Sequence, residues 1–311
     1  MDLPIKKIYV PKNNIGKVVN GEYKFALGFR KLEGNCFEID SEFPTYREEK
    51  GLAGLEHLKH SGYDRFDDIQ SVVIQEIIDR LCTEHPDYFY ALDSYSGTVL
   101  YCKLTNEQLI FDKDMNLRSG KYIDSLDAIA SQVQEDIVVV SLDGDGDYAS
   151  AVHVCLPSYF NPNEGIGKSF LEIHGPVPAM DDIKKKSEKV VETMVNEGPL
   201  VRYNYGFGTD TRLNHHNVKP GWFEGSESDW RGKNFREEGE IYFRVEKQVT
   251  IPLKEIKSSI FLIRPYVYSL SSLEKKDRER LASDLEAMDD KTLEYKRLKD
   301  GKKNIMRALL K

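Results

Sequence analysis

The sequence predicts an α+β fold in which helices attach to an antiparallel sheet. Strand-like runs follow one another across turn signals, helical periods fall between them with no βαβ rhythm, and apolar residues are plentiful enough for a core. Of the 311 residues 40% are hydrophobic and 31% charged, with seventeen Tyr and fourteen Phe, a balance far from that of a disordered chain. One elaborated domain over residues 1–311 accommodates this length.

Taken in order, residues 69–84 (IQSVVIQEIIDRLCTE) place Val72, Ile74, Ile77, Ile78 and Leu81 near the spacing of a one-faced helix. DYFYALDSYSGTVLYCKL follows as two aromatic and β-branched runs broken by Ser-Gly, a hairpin composition. Ile123, Leu126, Ile129 and Val133 suggest a second helix over 124–135. DIVVVSL and YASAVHVCLP, separated by DGDGD, read as a second hairpin. Asp143, Asp145 and Asp147 lack the glycine and distal glutamate of a calcium loop, so turn chemistry accounts for them. Residues 183–195 look helical, and 199–208 and 239–268 look like strands. Between them 207–238 has no period and holds both tryptophans, as lids, binding loops or disordered segments do. Ser271 and Glu274 have capping-box spacing ahead of a charged helix, expected on the outside, that runs to about residue 288.

The composition excludes several functions. Forty-four basic against fifty-two acidic residues, with no basic stripe, give nothing to hold a phosphate backbone, so nucleic acid is not an expected partner. No stretch approaches the roughly 20 apolar residues of a membrane span, and MDLPIKKIYVPKNN has no apolar leader core. The expectation is a cytoplasmic protein without a membrane partner. Cys36, Cys82, Cys102 and Cys155 are too scattered for a zinc or iron–sulfur site and read as buried thiols. Nucleophile-elbow, zinc-protease and P-loop signatures are absent, and Gly165-Ile166-Gly167 is only a fragment of a dinucleotide fingerprint.

The chemistry-bearing residue types gather in 153–174, 202–216 and 242–248. CLPSYFNPNEGIGKSFLEIHGPVP, then VRYNYGF, then FRVEKQVTIPL, have the order and spacing of the haem-dependent oxidative N-demethylase α-subunit family, which the chain resembles. LGFRKLEGNCFEID and FPTYREEK resemble that family's N-terminal segment, and EDIVVVSLDG its central hairpin, so the resemblance runs from about residue 23 to about 297. Tyr205 stands where the family usually has Trp, and Lys247 where it usually has Arg, whose planar fork lysine lacks.

The resemblance implies a PAS-like sheet over about 88–268, a C-terminal helical extension over 271–311, and b-type haem. It also implies oxidation of a small secondary amine such as dimethylamine by dioxygen, with electrons from flavin and iron–sulfur partner subunits. His174 matches the family's His-x-Pro-Val-Pro histidine and is the expected axial and metal ligand, at a strand end fixed by Pro176 and Pro178. The alternative is an imidazole that only hydrogen-bonds a turn. His215 and His216 are expected in a surface loop, because neighbouring side chains rarely chelate one ion together.

Arg202, Asn204 and Tyr205 match the Arg-x-Asn-aromatic block and are the expected catalytic residues together with Glu246. Arg202 and Asn204 share one strand face, and so do Arg244, Glu246 and Gln248. If those faces line the pocket, Arg202 pairs with a propionate or polarises oxygen, and Glu246 holds an ammonium. Arg244, Gln248 and Lys168 complete the expected cofactor contacts. If those faces are solvated instead, Arg202 merely snorkels and the strand is wet. The remaining alternatives are a haem-binding PAS-type sensor or carrier, and a haem-free member that binds another small ligand.

Overall fold

The computed structural model describes residues 3–10, 16–19, 22–25, 28–55, 60–174 and 187–311. Strands β1 (Gly16–Val19) and β2 (Glu22–Phe25) form a small hairpin, followed by β3 (Arg30–Lys31), α1 (Phe43–Leu55) and β4 (His60–Tyr63). Helix α2 (Gln70–Glu84) buries Val73, Ile74, Ile77, Ile78 and Leu81, while Val72 is exposed. β5 (Phe89–Ser94), β6 (Gly97–Cys102), β7 (Glu107–Phe111) and β8 (Leu117–Ser119) then make a four-stranded antiparallel meander. The Ser-Gly hairpin signal sits at its first turn. Helix α3 (Ser125–Ala130) is shorter than its apolar period suggests, and Asp124 caps its start by accepting from the Asp127 N–H.

At the β5–β6 turn, Gly97 adopts φ +134°, and a Cβ there would stand 2.0 Å from the Phe111 carbonyl oxygen. Gly97→Ala is therefore expected to cost about 2 kcal/mol or more, read as a lower denaturation midpoint at unchanged slope.

The main sheet has seven strands in the order β3-β11-β12-β13-β9-β10-β4, every neighbouring pair antiparallel. It takes in the hairpin β9 (Asp136–Asp143) and β10 (Gly146–Val154). After α4 (Phe170–His174) and α5 (Ser187–Asn196) come β11 (Leu200–Gly208), the short α6 (Glu227–Trp230), and the long hairpin β12 (Tyr242–Leu253) and β13 (Ser258–Ser269). The chain closes with α7 (Lys275–Ala287), α8 (Asp290–Tyr295) and α9 (Lys302–Leu309). The α+β prediction holds.

Period-two alternation gives this sheet two different faces. On one face Val201, Tyr203, Phe207, Phe243, Val245, Ile260 and Leu262 enter the main hydrophobic core. Leu281, Leu285, Leu293, Ile305 and Leu309 of the C-terminal helices join that same core, so α7 is not merely external. Its N-cap is Glu274 itself, while Ser271 hydrogen-bonds Ser269. The opposite face carries Val138, Val152, Val154, Arg202, Asn204, Arg244, Glu246, Gln248, Phe261 and Ile263, and a cavity opens over it. A β-bulge between Ala149 and Ala151 shifts the register, so that Ala149, Val152 and Val154 all reach the cavity wall. Met194 of α5 and Phe170 of α4 pack over this face with Val140, Val190 and Val191.

Candidate functional site

A cavity of about 790 Å³ lies between the polar face of the sheet, α4, α5 and the turn after α8. Arg202, Asn204, Tyr205, Glu246, His174, Arg244, Gln248 and Lys168 all lie on its wall, which brings together three segments far apart in sequence.

The His174 helix starts on a reciprocal capping box. The Ser169 N–H donates to Glu172 Oε2 at 2.8 Å, and the Glu172 N–H donates to Ser169 Oγ at 3.2 Å. The Asp147 carboxylate on β10 also accepts from the Phe170 N–H, which ties the helix start to the sheet. His174 is thus on a helix rather than at a strand end, and Pro176 and Pro178 lie outside the described residues. Its ring stacks on Phe170 with centroids 4.0 Å apart, and Nδ1 lies 2.8 Å from the Phe170 carbonyl oxygen. A carbonyl can only accept, so Nδ1 carries the proton and Nε2 keeps its lone pair. Nε2 has no hydrogen-bond partner among the described residues. Burial, helped by the Arg202 charge, holds His174 down at about 4, so the imidazole stays neutral at physiological pH.

Arg202 is buried between the rings of Phe29 and Phe261, and its Nε donates to Gln248 Oε1 at 2.6 Å. Burial pulls it down to about 10, against the opposing charge of Glu246, and it remains a cation at pH 7. Its two terminal nitrogens have no hydrogen-bond partner among the described residues. Arg244 is committed differently. Its Nη1 donates to the carbonyls of Leu213 and Arg212 and its Nη2 to that of Leu156, which clamps two loops against β12. Arg244 Nε stands 3.9 Å from Glu246 Oε1, and Gln248 donates to Glu246 Oε2 at 3.2 Å. Lys168 is exposed at the rim.

Tyr205 borders the cavity, but its ring packs on Phe207 and Phe243 in the core, and its hydroxyl donates to Asp284. Lys247 occupies the core face and pairs with Glu38. Both positions that depart from the resembled family therefore direct their side chains away from the polar face.

The loop 207–238 is ordered around its own aromatic cluster. Trp230 is buried, donates to the His216 carbonyl at 2.7 Å, and carries the Arg212 guanidinium over its ring. His215 and His216 are buried rather than on the surface, with His215 Nε2 2.9 Å from Asp210 Oδ1. His153 is buried against Asp127, and Cys155 is buried beside Tyr46 and Trp230. His174 is the one histidine on the cavity wall among the described residues.

Two lysines on the wall escaped the sequence reading. Lys296 donates to Asn204 Oδ1 at 3.2 Å and to the Tyr205 carbonyl at 2.8 Å, and Lys233 donates to the Phe207 carbonyl. Burial pulls Lys296 down to about 8. Burial and the charges of Arg244, Lys296 and Arg297 pull Lys233 down to about 7. One sits in an aperiodic loop and the other behind a charged helix, where lysine ordinarily means solvent. Asp136 was missed too: its carboxylate accepts the N–H groups of Cys155 and Leu156 and fixes the chain as it leaves β10.

Among the described residues no helix is long and apolar enough to cross a membrane, and no three His, Cys, Asp or Glu side chains are grouped to hold a metal ion. No curated protein matches the sequence. The family described as haem-dependent oxidative N-demethylase, alpha subunit-like matches residues 28–306, nearly the whole chain. The chain belongs to the haem-dependent oxidative N-demethylase, alpha subunit-like family.

Proposed function

We propose that the cavity holds b-type haem on His174 and that the loaded chain oxidatively demethylates a small secondary amine. Dioxygen is the oxidant, and electrons come from flavin and iron–sulfur centres on partner subunits. The observation that carries this reading is the His174 imidazole: neutral, fixed in the Nδ1–H tautomer, and set on the cavity wall with no partner for the Nε2 lone pair among the described residues. A porphyrin iron asks for such a donor, apolar walls, and cations for two carboxylates. Val138, Val152, Phe170, Met194 and Phe261 supply the walls, and Arg202 and Lys168 the cations. The volume also falls within the roughly 300–1,000 Å³ of cofactor and ligand sites. The lack of a three-ligand metal cluster among the described residues does not conflict with this, since a haem would ask for as little as one side chain from the protein.

When bound, haem supplies the dioxygen and one-electron chemistry. The chain supplies orientation and charge. The Phe170 carbonyl fixes the His174 ring and raises the basicity of Nε2. Arg202 offers the N–H groups of its two terminal nitrogens to a propionate or to negative charge that develops in the cavity. Glu246, held in place by Gln248, accepts from the N–H of the amine, and Asn204 is its partner across the strands. The net reaction consumes one dioxygen, two electrons and two protons, and yields formaldehyde, the shortened amine and one water.

Oxygen uptake by haem-loaded protein, given a reductant and a panel of small secondary amines, tests this. Uptake that depends on the amine and releases formaldehyde is expected. Glu246→Gln should lower it about 100-fold while the haem spectrum stays unchanged. Bound haem without amine-dependent uptake would point instead to a sensor or carrier.

A further inference from the structure

The acidic chain, with a formal charge of −8, surrounds a cavity whose wall is cationic. Glu246 lies on that wall among Arg202, Arg244, Lys233 and Lys296. Neither lysine is neutralised by a carboxylate within ion-pair distance among the described residues. Lys296 is held by Asn204 Oδ1 and the Tyr205 carbonyl, and Lys233 by the Phe207 carbonyl. Each ammonium has three N–H donors, so donors remain beyond these neutral acceptors. The Lys296 charge bears on Lys233, so these two half-shielded groups, held by neutral oxygens, repel each other when both are protonated, and an anion beside both relieves that repulsion.

The placement puts Lys233 at the end far from His174, with Lys296 at the middle of the strand on Asn204 and the Tyr205 carbonyl. Arg202, Asn204 and Gly206 follow one another along the cavity face of β11, and Lys233 Nζ lies 3.9 Å from where a Gly206 Cβ would be. At about 3.3 Å per residue, Gly206 is about 13 Å along the strand from Arg202. His174 feels the charge of Arg202. Glu246, paired across the strands with Asn204, lies between the two ends.

A simple dialkylammonium beside Glu246 would gain one carboxylate and meet the four cationic side chains Arg202, Arg244, Lys233 and Lys296. An amine with its own carboxylate reverses that balance, because its anionic end meets Lys233 and Lys296 while its amine meets Glu246. We infer that the amine taken by this cavity is an N-methyl amino acid, its carboxylate held by Lys233 and Lys296. The inference rests on the proposed amine oxidation and names its substrate class.

Calorimetric titration of the haem-loaded full-length protein with N-methylglycine, N-methylglycinamide and dimethylamine tests it. N-methylglycine should bind about tenfold or more tightly than the other two, since only it offers a carboxylate to the lysines. Lys233→Gln and Lys296→Gln should each remove most of that preference, and Lys296→Arg should retain it. Equal binding of acid and amide, or tighter binding of dimethylamine, overturns the inference, and the wild-type ranking decides this even if a variant folds poorly. If the lysines instead serve the haem carboxylates, acid and amide bind alike in the loaded protein, which also overturns it. A protein that takes up no haem yet prefers N-methylglycine would overturn the haem reading and keep the carboxylate site.

Discussion

His174→Gly is expected to weaken haem binding at least about 100-fold, more than is typical for loss of a residue that only supports a ligand. Imidazole added to the buffer should restore much of it. No other imidazole lies on the described wall to substitute, since His153 is engaged with Asp127 and His215 with Asp210, and neither lines the cavity. The pH dependence follows from burial and the Arg202 charge, which hold His174 at about 4. Affinity limited by this ring should stay flat from pH 8 to about 5 and fall only as the pH nears 4, whereas a free imidazole would titrate near 6.5. Stability has a wider window, which opens at the unfolded value. The unfolded chain takes up the proton near 6.5 and the fold resists it down to about 4, so this contribution is full above 6.5 and is lost as pH falls through that interval. Haem titrations at fixed pH and thermal melts of the haem-free protein measure the two separately.

Arg264→Met is expected to destabilise the fold by about 3–5 kcal/mol, the cost of removing one partner of a buried ion pair. Arg264 is fully buried on the core face of β13. It donates to Asp40 Oδ2 at 2.7 Å and to the Glu38 carbonyl at 2.6 Å, with Glu135 at 4.0 Å. Burial pushes Glu135 up, and the Arg264 charge is the leading effect that opposes it, so removing that charge leaves buried carboxylates uncompensated. The same network seats the N-terminal segment. Glu38 accepts from Lys247, Tyr9 and Tyr266, and these contacts hold its carboxyl at about 2 against burial. Arg264→Met should lower the melting temperature by about 10 °C, and adding Asp40→Asn should recover part of the loss.

The strands were legible because alternation is a local property. Arg202 with Asn204, and Arg244 with Glu246 and Gln248, share a face in the sequence and share the cavity wall in the fold. Which face would be wet is not a local property. That depends on α4, α5 and the C-terminal helices covering opposite sides of the sheet, and no period in one strand records what packs on it. The bulge at Ala149 and Ala151 left no turn residue to mark it, yet it decides which β10 side chains reach the cavity. For the His174 segment, prolines drew attention toward an extended end, while Ser169 and Glu172 carried the helix signal at capping-box spacing. Lys233 and Lys296 were hidden by composition, since a lysine in an aperiodic loop or charged helix is usually solvated and only the tertiary fold half-shields these two.

The most direct measurement is an absorption titration of haem into the full-length wild-type protein, followed by dithionite and carbon monoxide. The account predicts a Soret band that saturates at one haem per chain and shifts with each reagent. A wild-type protein with no saturable band would contradict haem ligation by His174 and leave the cavity as the site of a different small ligand.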